Sequence, residues 1–291
     1  HESREQDQRG LVTIDLRRAI GDRAHLIPIL LVFHALVFSI LAALVLVDWQ
    51  PLLDLDARIS TAAFGFSSAH PVFVLGLEAL SLVFNNYFVA CYLAVIAALA
   101  WWKRERILVA WIVLSTVIVL LGNLGLKAIF ARPRPEWEFP LHEISGWSFP
   151  SGHSAGIGLY AAALILLTIV STGRGLRRNV LIFAWLLIAG LVAASRVFLG
   201  VHYLSDVFAG LAFGAFVPML LWVIIMAGTE RWPVETAILT GTGKRQAAVV
   251  INPAKVGDVE EFKAKVRTVA ANYGWRDPLW LSTTVEDPGH G

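Results

Sequence analysis

The strongest constraint on this chain is a series of apolar runs, each close to the length that carries a helix across a bilayer, about 20 residues. They lie at about 26–47, 87–102, 107–126, 155–170, 180–197 and 207–227. The second is the shortest, and Asn85 and Asn86 beside it leave open a longer, bent helix starting near Pro71. Between the first two runs, residues 52–64 mix apolar side chains with Asp54, Asp56 and Arg58, which reads as a short interfacial helix. Hydrophobic residues make up 57% of the chain and charged ones only 16%. A soluble domain is nearer a quarter charged, and soluble cores do not grow to take up such an excess. The surplus apolar surface must therefore face lipid. The expected fold class is an all-α integral membrane bundle with six spans, followed by a short partial α/β segment. Residues 1–25 form an N-terminal segment, 26–228 the membrane domain and 229–291 a linker with the α/β piece.

Lysine and arginine orient the bundle. Arg17, Arg18 and Arg23 precede the first run, and Lys103, Arg104 and Arg106 fill the second turn. Arg174, Arg177 and Arg178 fill the fourth turn, and Arg231, Lys244 and Arg245 follow the sixth run. Six spans place all four clusters, with both termini, on one side, expected to be the cytoplasm of a plasma membrane. The connections at about 127–154 and 198–206 then share the opposite face. They carry charges that the positive-inside rule does not explain. The single cysteine, Cys91, excludes a disulfide framework and leaves the redox compartment open. A net charge of +2 gives a nucleic-acid partner no electrostatic support. No cleavable signal peptide is expected, because the first apolar run is longer than a signal core and follows about 25 polar residues.

Three segments of that opposite face carry chemistry: KAIFARPRP at 127–135, PSGH at 150–153 and SRVFLGVHYLSD at 195–206. Lys127, Arg134 and Arg196 offer fixed positive charge, and arginine can hold a phosphate with two parallel hydrogen bonds. Ser151 and Gly152 stand just before a helix, where backbone N–H groups point at an anion and glycine allows close approach. His153 and His202 supply one nucleophile and one general acid. His202 and Asp206 are four residues apart and would face the same way on a helix. The carboxylate would then fix the imidazole tautomer and stabilise the imidazolium. No carboxylate cluster suits magnesium or paired zinc, so metal-free and cofactor-free chemistry is expected.

Together the three segments resemble the signature of the type 2 phosphatidic-acid phosphatase family, the lipid phosphate phosphatase and vanadium haloperoxidase superfamily. Lys127 through Arg134-Pro135 matches its K-x6-R-P element, Pro150-Ser151-Gly152-His153 its P-S-G-H element, and Ser195-Arg196, His202 and Asp206 its S-R-x5-H-x3-D element. The likeness covers roughly residues 25–228. It implies a six-span phosphatase bundle in which His202 attacks phosphorus to give a phosphohistidine. His153 would protonate the leaving oxygen, while Lys127, Arg134 and Arg196 hold the phosphate. The implied reaction is hydrolysis of a lipid phosphomonoester or diphosphate at the outer face. Phosphatidic acid, phosphatidylglycerol phosphate and undecaprenyl diphosphate are the candidate substrates. A lipid phosphotransferase using the same histidine is the alternative within that chemistry, and a non-catalytic membrane anchor is the alternative outside it.

The tail carries a second resemblance. VVINPAKV at 249–256 and TTVEDPGHG at 283–291 look like the opening of a diacylglycerol kinase catalytic domain. This implies a longer fusion in which a cytoplasmic lipid-kinase domain follows. The family's glycine-rich nucleotide loop is not in these residues, so no kinase activity is assigned to them. Gly241-Thr242-Gly243-Lys244 only imitates a phosphate-binding loop, with Ile238 and Arg245 at the positions that would need Gly and Ser or Thr. The 11 tryptophans fall mostly at span ends, as an aromatic belt does. His142 reads as surface, Arg132 as local packing or substrate approach, and His34 and Glu78 stay unassigned.

Overall fold

The computed structural model describes residues 26–142, 144–172, 175–228, 246–252, 258–272 and 276–282. The chain separates into two compact units, His1–Thr229 and Glu230–Gly291. The basic clusters at 17–23, Arg174 and 231–245, the imitation loop at 241–244, and most of the kinase-like segments (253–257 and 283–291) lie outside the described residues.

The first unit is helical: α1 (Leu26–Leu46), α2 (Gln50–Ser68), α3 (Pro71–Val83), α4 (Asn86–Trp102), α5 (Arg106–Phe130), α6 (Gly152–Ser171), α7 (Leu176–Phe198) and α8 (Leu204–Gly228). Among the described residues, α1, α5, α6, α7 and α8 are long and apolar enough to cross a membrane. Their outward faces are apolar, with Phe33, Leu36 and Ile40 on α1 and Leu121 and Leu124 on α5 exposed. Apolar faces on helices of span length are suited to lipid.

The region between the first and second predicted spans differs from expectation. The helix expected at 52–64 runs from Gln50 to Ser68 and turns polar residues inward, since Asp56, Ser60 and Ser67 are all buried. At Ala69–His70 the chain bends by 111° into α3. No longer bent helix runs on from Pro71. Asn85 interrupts it, its side chain accepting the Tyr87 and Phe88 N–H groups at 3.0 Å and so capping α4. Helix α4 has 17 residues, about 25 Å at 1.5 Å per residue. It is apolar but shorter than the five spanning helices. Its last residue joins α5 through a tight turn, and the Asn86 amide at its start lies where a side chain on Gly152 or Gly156 would go.

Helices α6 and α8 form the centre, and small residues let them touch backbone to backbone. A methyl group at Gly214 would stand 2.0 Å from the Ala155 carbonyl oxygen, and one at Gly210 would stand 2.5 Å from that of Ser151. This four-residue glycine spacing drives close helix approach in membranes, where the hydrophobic effect does not. Around that seam Leu93, Trp111, Val119, Leu159 and Trp222 form the main core. Pro218 leaves α8 one backbone donor short, and its carbonyl accepts the Trp111 indole at 2.9 Å.

The second unit contains β1 (Gln246–Ile251), α9 (Val259–Asn272) and β2 (Arg276–Ser282). The strands pair in parallel, a βαβ unit. The α/β character expected of the tail is therefore present.

Candidate active site

The C-terminal ends of α5 and α7 and the N-terminal ends of α6 and α8 meet at one end of the bundle. All three sequence segments therefore converge. Arg134 is tied to His202, Lys127 to the 147–148 backbone, and the Ser151 N–H to the Asp206 carbonyl at 2.9 Å.

His202 is not on a helix, so the expected helical pairing with Asp206 is corrected. It sits in the turn before α8, where Gly200 takes a φ of +71°. A side chain at Gly200 would strike Trp137 and Phe64, whose rings stack at 3.9 Å. Asp206 lies in the first turn of α8 and reaches back to accept the Tyr203 N–H at 2.9 Å, half of a capping box. That reach, and not an i,i+4 face, brings carboxylate and imidazole together. The Asp206 Oδ2 to His202 Nδ1 distance is 3.6 Å.

Behind His202 lies a buried polar network that sequence reasoning missed. Arg132 donates to Asp206 Oδ1 at 2.6 Å, to Ser205 Oγ at 2.8 Å and to Asp56 Oδ2 at 2.8 Å. Its guanidinium also sits 4.3 Å over the Tyr203 ring. Asp56, on α2, accepts the Ser205 N–H at 2.9 Å and its hydroxyl as well. Ser148 donates to Asp206 Oδ2, and its hydroxyl is 3.2 Å from His202 Nδ1. Burial works against the Arg132 charge, but Asp206 and Asp56 outweigh it and hold the guanidinium above its ordinary range. The sequence signal for Asp56 was an acid within an apolar stretch, which calls for a partner. Ser148 gave no signal.

In front of His202 the pattern reverses. Arg134 Nη1 meets His202 Nε2 at 3.0 Å, and the rest of its guanidinium is held by the carbonyls of Gly146, Trp147 and Val201. The Lys127 ammonium likewise rests on the carbonyls of Trp147 and Ser148. Arg196 is 1% exposed, yet its Nε and Nη2 have no hydrogen-bond partner. Burial pushes the His202 imidazole down to about 4; Asp206 opposes this, and Arg134 and Lys127 add to it. At neutral pH the ring is uncharged, as a nucleophile must be.

Ser151 is engaged elsewhere. Its hydroxyl caps α6, accepting from Ser154, and its N–H is committed to Asp206. Gly152 is the member of that pair that lines the adjoining cavity, alongside His153, His202, Lys127 and Arg134. The cavity holds about 450 Å³, and Leu120, Leu121 and Leu124 also line it. Leu121 and Leu124 are the most exposed leucines of α5. A second, open cavity of about 970 Å³ on the loop side is lined by Arg134, Trp137, His142, Trp147 and Val201, among others. His142 thus borders the site, 4.0 Å from Glu78. His34 bonds only its own helix, at the Leu30 carbonyl.

A membrane helix bundle with a buried imidazole, its carboxylate and a cage of cations at one end is the class that fold and site define. Residues 107–230 match the PAP2 superfamily, in agreement with the resemblance carried by the three motifs. The chain is 36% identical over 135 residues to a lipid A 1-phosphatase of Rhizobium etli, covering 42% of this chain and 54% of that protein. It is 35% identical over 113 residues to phosphatidylglycerophosphatase B of Bacillus subtilis, covering 38% and 53%. The chain thus spans about half the length of the curated relatives it matches. Its fold is similar to the crystal structure of the first transmembrane PAP2 type phosphatidylglycerolphosphate phosphatase from Bacillus subtilis. The TM-score is 0.60 at 26% identity, over 70% of this chain and 98% of that one.

Proposed function

We propose that this chain is a multi-pass membrane phosphatase that hydrolyses a phosphomonoester or diphosphate on a lipid, through a phosphohistidine at His202. One observation carries the reading. A single cavity is lined by His202, His153, Lys127 and Arg134 together with Leu121 and Leu124, which lie exposed on α5. Such a cavity admits a phosphate and an acyl or polyprenyl chain together.

The steps follow from the groups present. Nε2 of His202 bonds to phosphorus as the bond from phosphorus to the leaving oxygen breaks. That oxygen keeps the electron pair and takes a proton from His153. Lys127, Arg134 and Arg196 neutralise charge on the equatorial oxygens. The carbonyls that now hold Lys127 and Arg134 are weaker acceptors than a phosphate dianion, which displaces them. Water then attacks phosphorus, His153 takes its proton, and the N–P bond breaks to release inorganic phosphate. By the charge pattern of the loops, the site faces outward from the plasma membrane.

The test is phosphate release in detergent, with chelator present. The substrates are phosphatidic acid, phosphatidylglycerol phosphate, undecaprenyl diphosphate and lipid A. At least one should be turned over, and His202→Ala should lower kcat by about 10⁴-fold or more. A His202→Ala protein as fast as the parent would end this reading. A new phosphorylated lipid in place of free phosphate would turn it toward phosphotransfer.

A further inference from the structure

Resting on the reading of His202 as nucleophile, we propose that Ser148 is a positioning residue that carries the contact between the imidazole and Asp206. The carboxylate holds the ring through this hydroxyl and not directly.

Distances and donor inventories decide the matter. An N–H···O bond spans about 2.7–3.2 Å, and Asp206 Oδ2 stands 3.6 Å from His202 Nδ1. The Ser148 hydroxyl stands 3.2 Å from that nitrogen and is hydrogen-bonded to Oδ2. The direction of each bond follows. Arginine has donors only, so Arg134 Nη1 against Nε2 makes Nε2 the acceptor. The neutral ring therefore carries its proton on Nδ1 and donates it to Ser148 Oγ. The hydroxyl, having accepted, donates onward to the ionised Asp206.

Each group in the chain has one role and one partner on each side. Asp206 is held by two further donors, Arg132 on Oδ1 and the Tyr203 N–H on Oδ2. Ser148 itself is fixed in place. It is fully buried, its N–H donates to the Arg132 carbonyl at 2.8 Å, and the neighbouring Phe149 is packed against Phe130.

When Nε2 bonds to phosphorus, the ring becomes cationic while its Nδ1 proton stays in place. The serine hydroxyl transmits the stabilisation from Asp206, and no proton moves along the chain. The same arrangement leaves the lone pair on Nε2, where Arg134 donates to it, and that lone pair reaches phosphorus once the guanidinium turns to the phosphate. Ser148 does not touch the phosphate in this scheme, so its loss falls on kcat and not on KM.

The experiment is a double-mutant cycle in the full chain, using Ser148→Ala, Ser148→Cys, Asp206→Asn and the Ser148→Ala/Asp206→Asn pair, with melting temperatures recorded. Ser148→Ala lets the ring shift from its aim, which should lower kcat about a hundredfold and leave KM within about twofold of the parent. Ser148→Cys keeps the shape with a poorer donor and should lose rate as well. The double variant should be no slower than Asp206→Asn alone, because the two groups act as one unit. A Ser148→Ala or folded Ser148→Cys enzyme with parental kcat would overturn the proposal, as would losses that multiply in the double variant. His202→Ala in the same series separates the two failures. If it is active, the nucleophile reading fails; if it is dead beside a fully active Ser148→Ala, only the serine link fails.

Discussion

The two sides of His202 are built on opposite plans. Behind the ring, Asp56, Arg132, Ser148, Ser205 and Asp206 are buried and mutually paired. In front, Lys127 and Arg134 lean on backbone carbonyls, and Arg196 keeps two buried nitrogens without partners. A buried charge is tolerable when paired and costly when it is not. The rear side is therefore finished by folding, and the front side is left for a ligand to finish. A site that must bind, transfer and release phosphate needs this division: rigid support for the nucleophile and unsatisfied cations for a passing anion.

The largest stability effect should come from the rear. One guanidinium serves two buried carboxylates, with exposures of 9% for the Arg132 side chain, 2% for Asp56 and 0% for Asp206. Arg132→Ala leaves both carboxylates uncompensated, which destabilises by about 3–5 kcal/mol. Thermal melting in detergent should show a large drop, and activity should fall because Asp206 and the start of α8 lose their anchor. An unchanged melting temperature would mean that this network is not the structural half of the site.

Arg196 should behave in the opposite sense. Removing a buried charge that has donors to spare relieves a desolvation cost. Arg196→Met is therefore expected to melt at or above the parent temperature when phosphate is absent. Its kcat/KM should fall by about 10²–10³-fold, the loss typical of one donor to the transition-state charge. Inorganic phosphate should raise the melting temperature of the parent, by linkage to binding, and raise that of Arg196→Met much less. If Arg196→Met melts as far below the parent as Arg132→Ala does, the contrast between the two sides is gone.

The front side was legible in the sequence and the rear mostly was not, for a physical reason. Lys127, Arg134, Arg196, His153 and His202 are charged or titratable groups at the ends of apolar runs, and such groups need a function to justify their position. The runs also gave the bundle, since lipid-facing helices are apolar whatever they pack against. Arg132 and Asp56 are 76 residues apart, and Ser148 and Asp206 are 58 apart. Which buried groups pair over such separations is set by packing, and spacing does not encode it. The same limit explains the His202–Asp206 misreading. A four-residue gap suggests a helical face, but Gly200 and the capping role of Asp206 put only the second of the pair on α8. It also explains the inward turn of Asp56 on a helix whose composition suggested an interface.

The smallest effect is expected in the pH profile, and it tests whether burial keeps the nucleophile uncharged. Burial, with Arg134 and Lys127, holds the His202 imidazole at about 4 against the opposing pull of Asp206. The reactive form is the neutral one, so activity is present above that value and is lost as pH falls through it. A lipid phosphomonoester has its own ionisation near pH 6. Below it, in enzyme whose His153 carries the proton that the leaving-group step requires, log kcat/KM should decline with a slope of one, with no second break until about pH 4. An ordinary histidine, with a pKa near 6.5, would titrate alongside the substrate and give a slope of two from about pH 6 downward. Folding stability carries the same sign. The unfolded imidazole binds its proton near 6.5 and the folded one only near 4, so this residue's contribution to stability falls as pH drops between those values. A slope of two in the parent enzyme would place the imidazole in a solvated setting, and the division between a dry nucleophile and its waiting cations would not hold.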